Sequence, residues 1–275
     1  MIPGRLSPCK PAALLLLSLI VSAVPVHAEP GDCRDTPCIS IIIDDIGYRG
    51  SEDLEAIELP GPLAIAIMPH APHATSMSEL ANRSGKEVLL HLPMQAQEED
   101  KNRFLGPGAL TQGMDRREFL DTVRDDLRSF PHIIGVNNHM GSLLTRESGY
   151  MEWLMSYLRH HGKFYIDSMT SSDSVAGGIA RENHVPSLRR DVFLDNIRDE
   201  AYINGQFDQL LQAARRKGHA IAIGHPHPET LAVLARRLDD LRRQGVQLIS
   251  LSRMLRDTGH DPRLLNASIG EVAGP

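Results

Sequence analysis

The sequence contains no apolar run long enough to cross a bilayer, no block of like charges and only three cysteines among its 275 residues. Its main apolar run spans only residues 12–24, whereas a membrane-spanning helix needs about 20 apolar residues. The net charge is −6 and the basic residues are scattered, so the chain lacks the basic surface that nucleic acids and anionic membranes attract. We therefore expect no nucleic-acid partner and no stable membrane insertion.

The first 28 residues have the features of a secretion signal. Arg5 and Lys10 give a positive start, the apolar run follows, and Val26-His27-Ala28 is a small-residue cleavage site. We expect cleavage after Ala28 and export to the periplasm, and an uncleaved anchor is the alternative. Residues 29–38 then form a leader, residues 39–256 the folded domain and residues 257–275 a flexible tail.

Two of the three cysteines remain after the signal is removed. Cys33 and Cys38 have four residues between them, a spacing that allows a disulfide to close a small loop in an oxidising compartment. Two free thiols are the alternative, because spacing alone does not fix the geometry of the pair.

Short apolar runs alternate with amphipathic helical stretches through the chain. The runs occupy residues 39–43, 63–68, 87–92, 133–136, 164–166, 192–194, 220–223 and 246–249. The helical stretches occupy residues 76–84, 116–129, 150–161, 207–217 and 229–244, and four of them are followed by Gly85, Gly162, Gly218 and Gly245, as by left-handed helix terminators. Most runs are apolar on both faces, like buried parallel strands. The alternation predicts a single α/β domain with a closed or nearly closed parallel sheet.

Polar residues suited to metal or proton chemistry directly follow five of the apolar runs. Because the carboxyl ends of parallel strands lie on one side of a sheet, we expect these groups to converge in space. One carboxylate with two or three imidazoles fits a zinc ion, or a similar divalent metal, with an open coordination position. The groups are Asp44-Asp45, His91, Asn137-Asn138-His139, Asp167-Ser168 and His225-Pro226-His227.

Taken singly, these residues also have structural explanations. Asp44 and Asp45 could cap the next helix, a histidine after a strand is often a hydrogen-bonded structural residue, and the two asparagines could form a turn. Taken together, paired aspartates have a specific use: one binds a cation while its neighbour accepts a proton from the attacking water. A separate imidazole can then protonate the leaving group.

Several segments resemble known families. Asp44-Asp45-Ile46-Gly47 after an isoleucine strand resembles the first motif of NodB-like polysaccharide deacetylases, and residues 85–91 (GKEVLLH) resemble the second. The closer similarity is to the divergent polysaccharide deacetylase family, which the chain resembles over residues 39–255. The segments that carry it, in order, are 64–70 (AIAIMPH), 91–95 (HLPMQ), 135–142 (GVNNHMGS), 165–168 (YIDS) and 224–228 (GHPHP).

This resemblance implies a deformed (β/α) barrel of about seven parallel strands, and metal-dependent removal of acetyl groups from an envelope carbohydrate. Zinc is the expected ion. The implied roles are Asp44 as the catalytic base, Asp45, His91 and His139 as metal ligands, His225 as the general acid and Asp167 as the residue that orients a histidine or the substrate.

The sequence departs from the ordinary NodB pattern in three respects. The position four residues after His91 is Gln95, so His139 must supply the remaining ligand from another strand. The Arg-x-Pro motif that steadies the base is absent, and Arg189 or Arg190 is the substitute. A single Trp and an aromatic content of 4% leave little for stacking against sugar rings.

Two alternatives to a deacetylase follow. The first is a catalytically weak protein that keeps the barrel and binds an envelope glycan or protein. The second is a metallophosphoesterase, because Asn138-His139 and residues 224–227 (GHPH) mimic its Asn-His and Gly-His-x-His blocks, although its Asp-x-His segment is missing.

Overall fold

The computed structural model describes Met1, Cys33 and residues 35–259. The expected signal segment lies outside the described residues apart from Met1, and so do residues 260–275 of the expected tail. In the part of the chain that is described, no helix is long and apolar enough to span a membrane. Cys33 and Cys38 are joined in a disulfide, which decides between the two states that their spacing left open.

Strands and helices alternate along the described residues. The strands are β1 (Cys38–Ile46), β2 (Ala64–Ile67), β3 (Glu87–Met94), β4 (Ile133–Met140), β5 (Phe164–Asp167), β6 (Ser187–Arg189), β7 (Val192–Phe193), β8 (His219–Gly224) and β9 (Gln247–Leu248). The α-helices are α1 (Ser51–Glu58), α2 (Ala74–Arg83), α3 (Arg116–Arg128), α4 (Ser148–His160), α5 (Ala176–Glu182), α6 (Glu200–Lys217), α7 (Pro228–Leu238) and α8 (Leu251–Asp257). Two 3-10 helices, Glu99–Phe104 and Leu144–Arg146, lie in the loops after β3 and β4.

The strands form one curled parallel sheet. Their order is β6-β5-β4-β3-β2-β1-β8-β7, and β9 pairs with β1. This arrangement confirms the single-domain α/β fold and the deformed barrel expected from the sequence. The sheet has nine strands, whereas about seven were expected. Three of the nine, β6, β7 and β9, have only two or three residues each. Strand β6 was not predicted because its three residues, Ser-Leu-Arg, do not form an apolar run. None of the three is fully buried.

The strands are apolar on both faces because both faces of the sheet are covered. Ile41 and Ile43 on β1 join the large core between sheet and helices, which includes Phe119 of α3. Ile42, which lies between them, joins a second core inside the curl of the sheet, together with Phe164. The alternation of side chains along a strand thus feeds two separate cores, as expected for buried parallel strands.

Helix ends follow their capping residues. Helix α3 begins after Asp115, whose side chain accepts a hydrogen bond from the Glu118 amide. Helix α6 starts at Glu200, earlier than its apolar pattern predicts, because Asp199 caps it by accepting from the Tyr202 amide. Helix α7 ends at Leu238 rather than at residue 244, and the following residues form turns. The four glycines expected to terminate helices all adopt positive φ, between 61° and 85°.

The last helix is tied to the start of β3. The Glu87 carboxylate accepts hydrogen bonds from the Leu251 amide (2.8 Å) and the Ser252 amide (3.2 Å) at the beginning of α8. Met254 and Leu255 of α8 pack into the core inside the curl. Helix α8 therefore covers the amino end of the sheet, opposite the carboxyl end at which the polar strand-end residues lie.

Two glycines in contrasting surroundings provide a test of this packing. A Cβ atom at Gly135 of β4 would lie 2.3 Å from the Phe164 ring, whereas one at Gly205 of α6 would meet nothing within 4 Å. We expect Gly135→Ala to lower the free energy of unfolding by about 1–3 kcal/mol through overpacking. Gly205→Ala should raise it by roughly 0.5–1 kcal/mol, because it removes a helix-interior glycine. Urea denaturation of both variants checks this, and equal effects would contradict the packing described.

Candidate active site

Catalytically useful side chains from four strands meet at the carboxyl edge of the sheet. Asp44 and Asp45 come from β1, His91 from β3, His139 from β4, and His225 directly follows β8. His91 lies opposite Asn137 in the β3–β4 register, and His139 follows two residues later on β4. The convergence expected from the sequence is therefore present for these five residues.

Three of these side chains form a compact triangle of donor atoms. Asp45 Oδ1 lies 3.3 Å from His91 Nε2 and 3.0 Å from His139 Nδ1, and the two ring nitrogens are 3.1 Å apart. Ligand atoms at zinc distances in a tetrahedral site are separated by about 3.4 Å. Asp45 Oδ1 is buried without a hydrogen-bond partner. An orphaned carboxylate oxygen beside two imidazole nitrogens fits a divalent cation, and the borderline-soft donor set fits zinc.

A break in strand pairing brings both aspartates to this position. The β1–β2 register shifts between Ile43 and Ile46, and Asp45 has φ 60°, in the left-handed region. Adjacent side chains in a regular strand point to opposite faces, and a bulge can redirect one of them. As a result both carboxylates face His91 Nε2, which lies 3.6 Å from Asp44 Oδ2 and 3.3 Å from Asp45 Oδ1.

The two aspartates have opposite electrostatic tendencies. Burial raises the pKa of Asp44 and outweighs the attraction of His91 and His225. Burial acts in the same direction on Asp45, but the close approach and charge of His139 and His91 prevail and hold its pKa well below the usual range. Asp45 is thus the better anion and Asp44 the better proton acceptor.

Asn137 connects Asp44 to the donor triangle. Its amide nitrogen donates to Asp44 Oδ1 (2.8 Å), so its amide oxygen accepts from His91 Nδ1 (3.0 Å). This contact fixes the His91 tautomer with the unprotonated Nε2 facing Asp45, as second hydrogen bonds commonly do for metal-binding histidines. From the sequence, Asn137 was placed in one of the converging strand-end groups, with a turn as its structural explanation, but it was assigned no role at the site.

His225 is held by a buried carboxylate that the sequence analysis missed. Its Nδ1 lies 3.0 Å from Asp195 Oδ1, and Asp195 Oδ2 accepts from the His225 amide and from Thr230 Oγ1, each at 2.7 Å. The His225 Nε2 faces the triangle, 3.8 Å from Asp45 Oδ2. Burial alone would lower the pKa of His225, but Asp195 and the aspartates of β1 raise it to about 9. Asp195 follows the apolar run 192–194, so the strand-end signal used elsewhere would have found it.

Asp167 has different partners from those expected. Its carboxylate accepts hydrogen bonds from the Met169 amide (2.8 Å) and Ser174 Oγ (2.7 Å). These contacts shape the loop after β5, and the orienting contact to His225 is made by Asp195 instead. His70, the last residue of the AIAIMPH segment, also stands apart from the triangle, because its Nε2 lies 3.0 Å from the buried Asp126 of α3.

Of the two arginines considered as supports for the base, Arg190 is the one near it. Its Nε and Nη2 donate to the carbonyls of Ser168 (2.6 Å) and Met169 (2.7 Å). The pKa of Arg190 is lowered by burial and raised by the charges of Asp167 and Asp44, so its guanidinium acts electrostatically on Asp44. Arg189 is exposed.

A second group of potential metal donors differs from the triangle because one of its members contacts an arginine. The group consists of Asp195, His225 and His227. His227 Nδ1 lies 3.2 Å from Arg49 Nη1 and must accept its hydrogen bond, because a guanidinium only donates. Burial, with the nearby Arg198, His225 and Arg49, lowers the pKa of His227 to about 4. A guanidinium at the donor atom opposes a cation there. This contact of His227 does not favour the metal binding by the Gly-His-x-His block that the metallophosphoesterase alternative requires.

The His225–Asp195 pair makes a testable electrostatic prediction. Asp195→Asn removes the carboxylate that raises the pKa of His225 while keeping the burial that lowers it, so the pKa should fall from about 9. Proton NMR titration of the histidine rings in metal-free protein measures this change. Asp208→Asn, the same charge change on the exposed part of α6, should leave the His225 titration unaltered. An unchanged pKa in Asp195→Asn would contradict the assigned contact.

Comparison with known proteins agrees with this architecture. The model of the divergent polysaccharide deacetylase family matches residues 41–255. A crystal structure of an uncharacterized protein from Agrobacterium tumefaciens is similar with a TM-score of 0.77 and 24% identity, covering 80% of this chain and 89% of that one. A structure of T48 deacetylase with substrate is similar with a TM-score of 0.51 and 13% identity, covering 82% and 94% of the two chains. Both likenesses show the fold.

Two sequence relatives are similar to most of this chain. The chain is 38% identical to an uncharacterized protein of Haemophilus influenzae, over 80% of this chain and 77% of the relative. It is 35% identical to the uncharacterized protein YibQ of Escherichia coli, over 80% of this chain and 67% of the relative. These findings confirm the resemblance seen in the sequence motifs. The chain belongs to the divergent polysaccharide deacetylase family.

Proposed function

We propose that this protein is a metal-dependent hydrolase that removes acetyl groups from an acetylated envelope carbohydrate. The donor triangle of Asp45, His91 and His139, with no side longer than 3.3 Å, carries the proposal. Asp44 and His225 flank the triangle, as a proton acceptor and a proton donor must. Family membership supports a carbohydrate substrate and a divalent cation.

Asp45, His91 and His139 are the proposed ligands of the cation, with zinc as the proposed ion. A divalent cation bound there would polarise the amide carbonyl and lower the pKa of the attacking water. Asp45, whose pKa is held well below the usual range, remains charged at neutral pH and contributes the anionic ligand. The Asn137 contact keeps the His91 ring oriented for binding.

Asp44 is the proposed general base. Its Oδ1 is held by Asn137, while its Oδ2 faces the triangle. The raised pKa of Asp44 improves its ability to take a proton from the attacking water, because a general base works best with a pKa near the operating pH.

His225 is the proposed general acid. With a pKa of about 9 it is protonated at neutral pH, and Asp195 binds its Nδ1 so that the Nε2 proton points toward the triangle. His225 can therefore donate to the amine nitrogen as the carbon–nitrogen bond breaks. The proton that Asp44 takes from water and the proton that His225 gives to the amine account for acetate and free amine as products.

Export to the periplasm is part of the proposal. The charged start, the apolar run and the Val26-His27-Ala28 site support cleavage after Ala28. A disulfide between Cys33 and Cys38 suits an oxidising compartment. N-terminal sequencing of the exported protein should begin at Glu29, and a mature start at Met1 would contradict cleavage.

Metal analysis tests the ligand assignment. We expect about one zinc ion per chain in purified wild-type protein, because three donors with an open position form a single site. His91→Ala should lose most of that metal and its thermal stabilisation by added zinc, since the site then keeps two ligands. His160→Ala, which changes an exposed histidine on α4, should keep both. Equal metal content in the two variants would refute the assignment.

Turnover tests the proton-transfer roles. Acetate release from chitin oligomers and peptidoglycan fragments should fall about 10²–10⁴-fold in Asp44→Asn, with metal content intact. His225→Ala should act in the same way, whereas Asp121→Asn on the exposed face of α3 should match wild type. Loss of metal in Asp44→Asn would instead make Asp44 a second ligand. Absence of turnover by the wild type would favour the binding-protein alternative.

A further inference from the structure

Two arginines without carboxylate partners lie on the rim of the proposed active site. Arg49 is four residues beyond Asp45, in the turn that follows β1, and Arg198 is three residues beyond Asp195. Both side chains are exposed, and neither has a carboxylate within ion-pair distance among residues 35–259.

Arg49 is held in place rather than free in solvent. Its Nη1 donates to Nδ1 of the buried His227, which joins the loop after β1 to the loop after β8. The His227 ring stacks on the His225 ring with their centroids 5.6 Å apart. His225 Nε2 in turn lies 3.8 Å from Asp45. A short series of contacts therefore fixes the Arg49 guanidinium beside the proposed reaction centre.

Two positive charges, those of Arg198 and Arg49, act on the His227 ring. His227 stays neutral at physiological pH, since its pKa is about 4, and Arg198 and Arg49 both contribute to that depression. The two guanidinium groups would attract an anionic ligand.

We propose that Arg49 and Arg198 bind an anionic group of the substrate, so that the substrate is an acetylated carbohydrate that carries a carboxylate or a phosphate. The guanidinium fork matches both groups in geometry and charge. Because Arg49 contacts His227, two residues from the proposed general acid His225, the anionic group belongs to the sugar that bears the acetamide or to its neighbour. This inference rests on the deacetylase function proposed above and names the class of its substrate.

Four sugar probes separate charge from shape and carboxylate from phosphate. They are N-acetylglucosamine, N-acetylmuramic acid, the methyl ester of N-acetylmuramic acid and N-acetylglucosamine 6-phosphate. In the ester, a neutral methyl carboxylate replaces the ionised carboxyl group of the acid. We expect wild-type enzyme to show a KM about tenfold lower for the acid or the phosphate than for its neutral counterpart, and this preference should weaken at high salt.

Variants assign the preference to the two arginines. In the double variant Arg49→Gln/Arg198→Gln, the ratio of the KM values for acid and ester, or for phosphate and neutral sugar, should approach one. Arg83→Gln makes a charge change at the exposed end of α2, just before β3 begins, and should keep the wild-type ratio. Arg49→Lys should retain part of the preference, because it keeps the charge but loses the fork.

A binding measurement distinguishes failure of this inference from failure of the proposed function. Calorimetry with zinc-loaded Asp44→Asn protein should show tighter binding of an anionic probe than of its neutral counterpart. Turnover of all four probes with equal KM values and equal binding would overturn the inference while leaving the deacetylase function intact. If no probe is turned over, the deacetylase function fails, and calorimetry alone then decides whether the rim binds anions. Tighter binding or a lower KM for the phosphate probe alone, or for the carboxylate probe alone, identifies the anionic group that is recognised.

Discussion

The irregular pairing of β1 with β2 at Asp44 and Asp45 is the constraint on which the site depends. A regular strand would send these neighbouring side chains to opposite faces, and only one carboxylate would reach His91. The register shift and the left-handed φ of Asp45 place both on the same side. A non-glycine residue in that region carries a conformational cost, although aspartate tolerates it better than most. Such strain persists where the surrounding structure holds it, here within a strand paired on both sides.

Different surroundings give chemically identical side chains different tasks. Burial of Asp44 disfavours its charged form more strongly than the hydrogen bond from Asn137 and the nearby histidines favour it, whereas the two imidazoles beside Asp45 favour the charged form of that residue. The histidines divide in the same way. His225 is bound to the carboxylate of Asp195 and keeps its proton, whereas His227 is bound to the guanidinium of Arg49 and gives it up. Separating the pKa values of paired groups is the general means by which a site obtains both an acid and a base.

The sequence was sufficient to predict those candidate site residues that lie at the end of a strand. Hydrophobic runs followed by Asp44, His91 and His225 were predictable, because parallel topology brings strand ends together whatever their spacing along the chain. Contacts that depend on side-chain reach were not predictable. The hydrogen bond from Arg49 to His227 produces no periodic pattern in the sequence. The same holds for Asn137, which bonds to both Asp44 and His91. The start of α6 was missed for a related reason, since its first two turns carry a weak apolar pattern and depend on the cap at residue 199.

The hydrogen bonds between Glu87 and the start of α8 have a consequence for the order in which the chain is made. Their partners are 164 and 165 residues apart, so the Glu87 carboxylate leaves the ribosome long before the amides that satisfy it. Contacts of such long separation form late and slow folding. Until residue 251 has emerged, the amino end of the sheet lacks the helix that covers its inner core. The nascent chain can therefore form strands early, but it completes this domain only after the residues of α8 have been added.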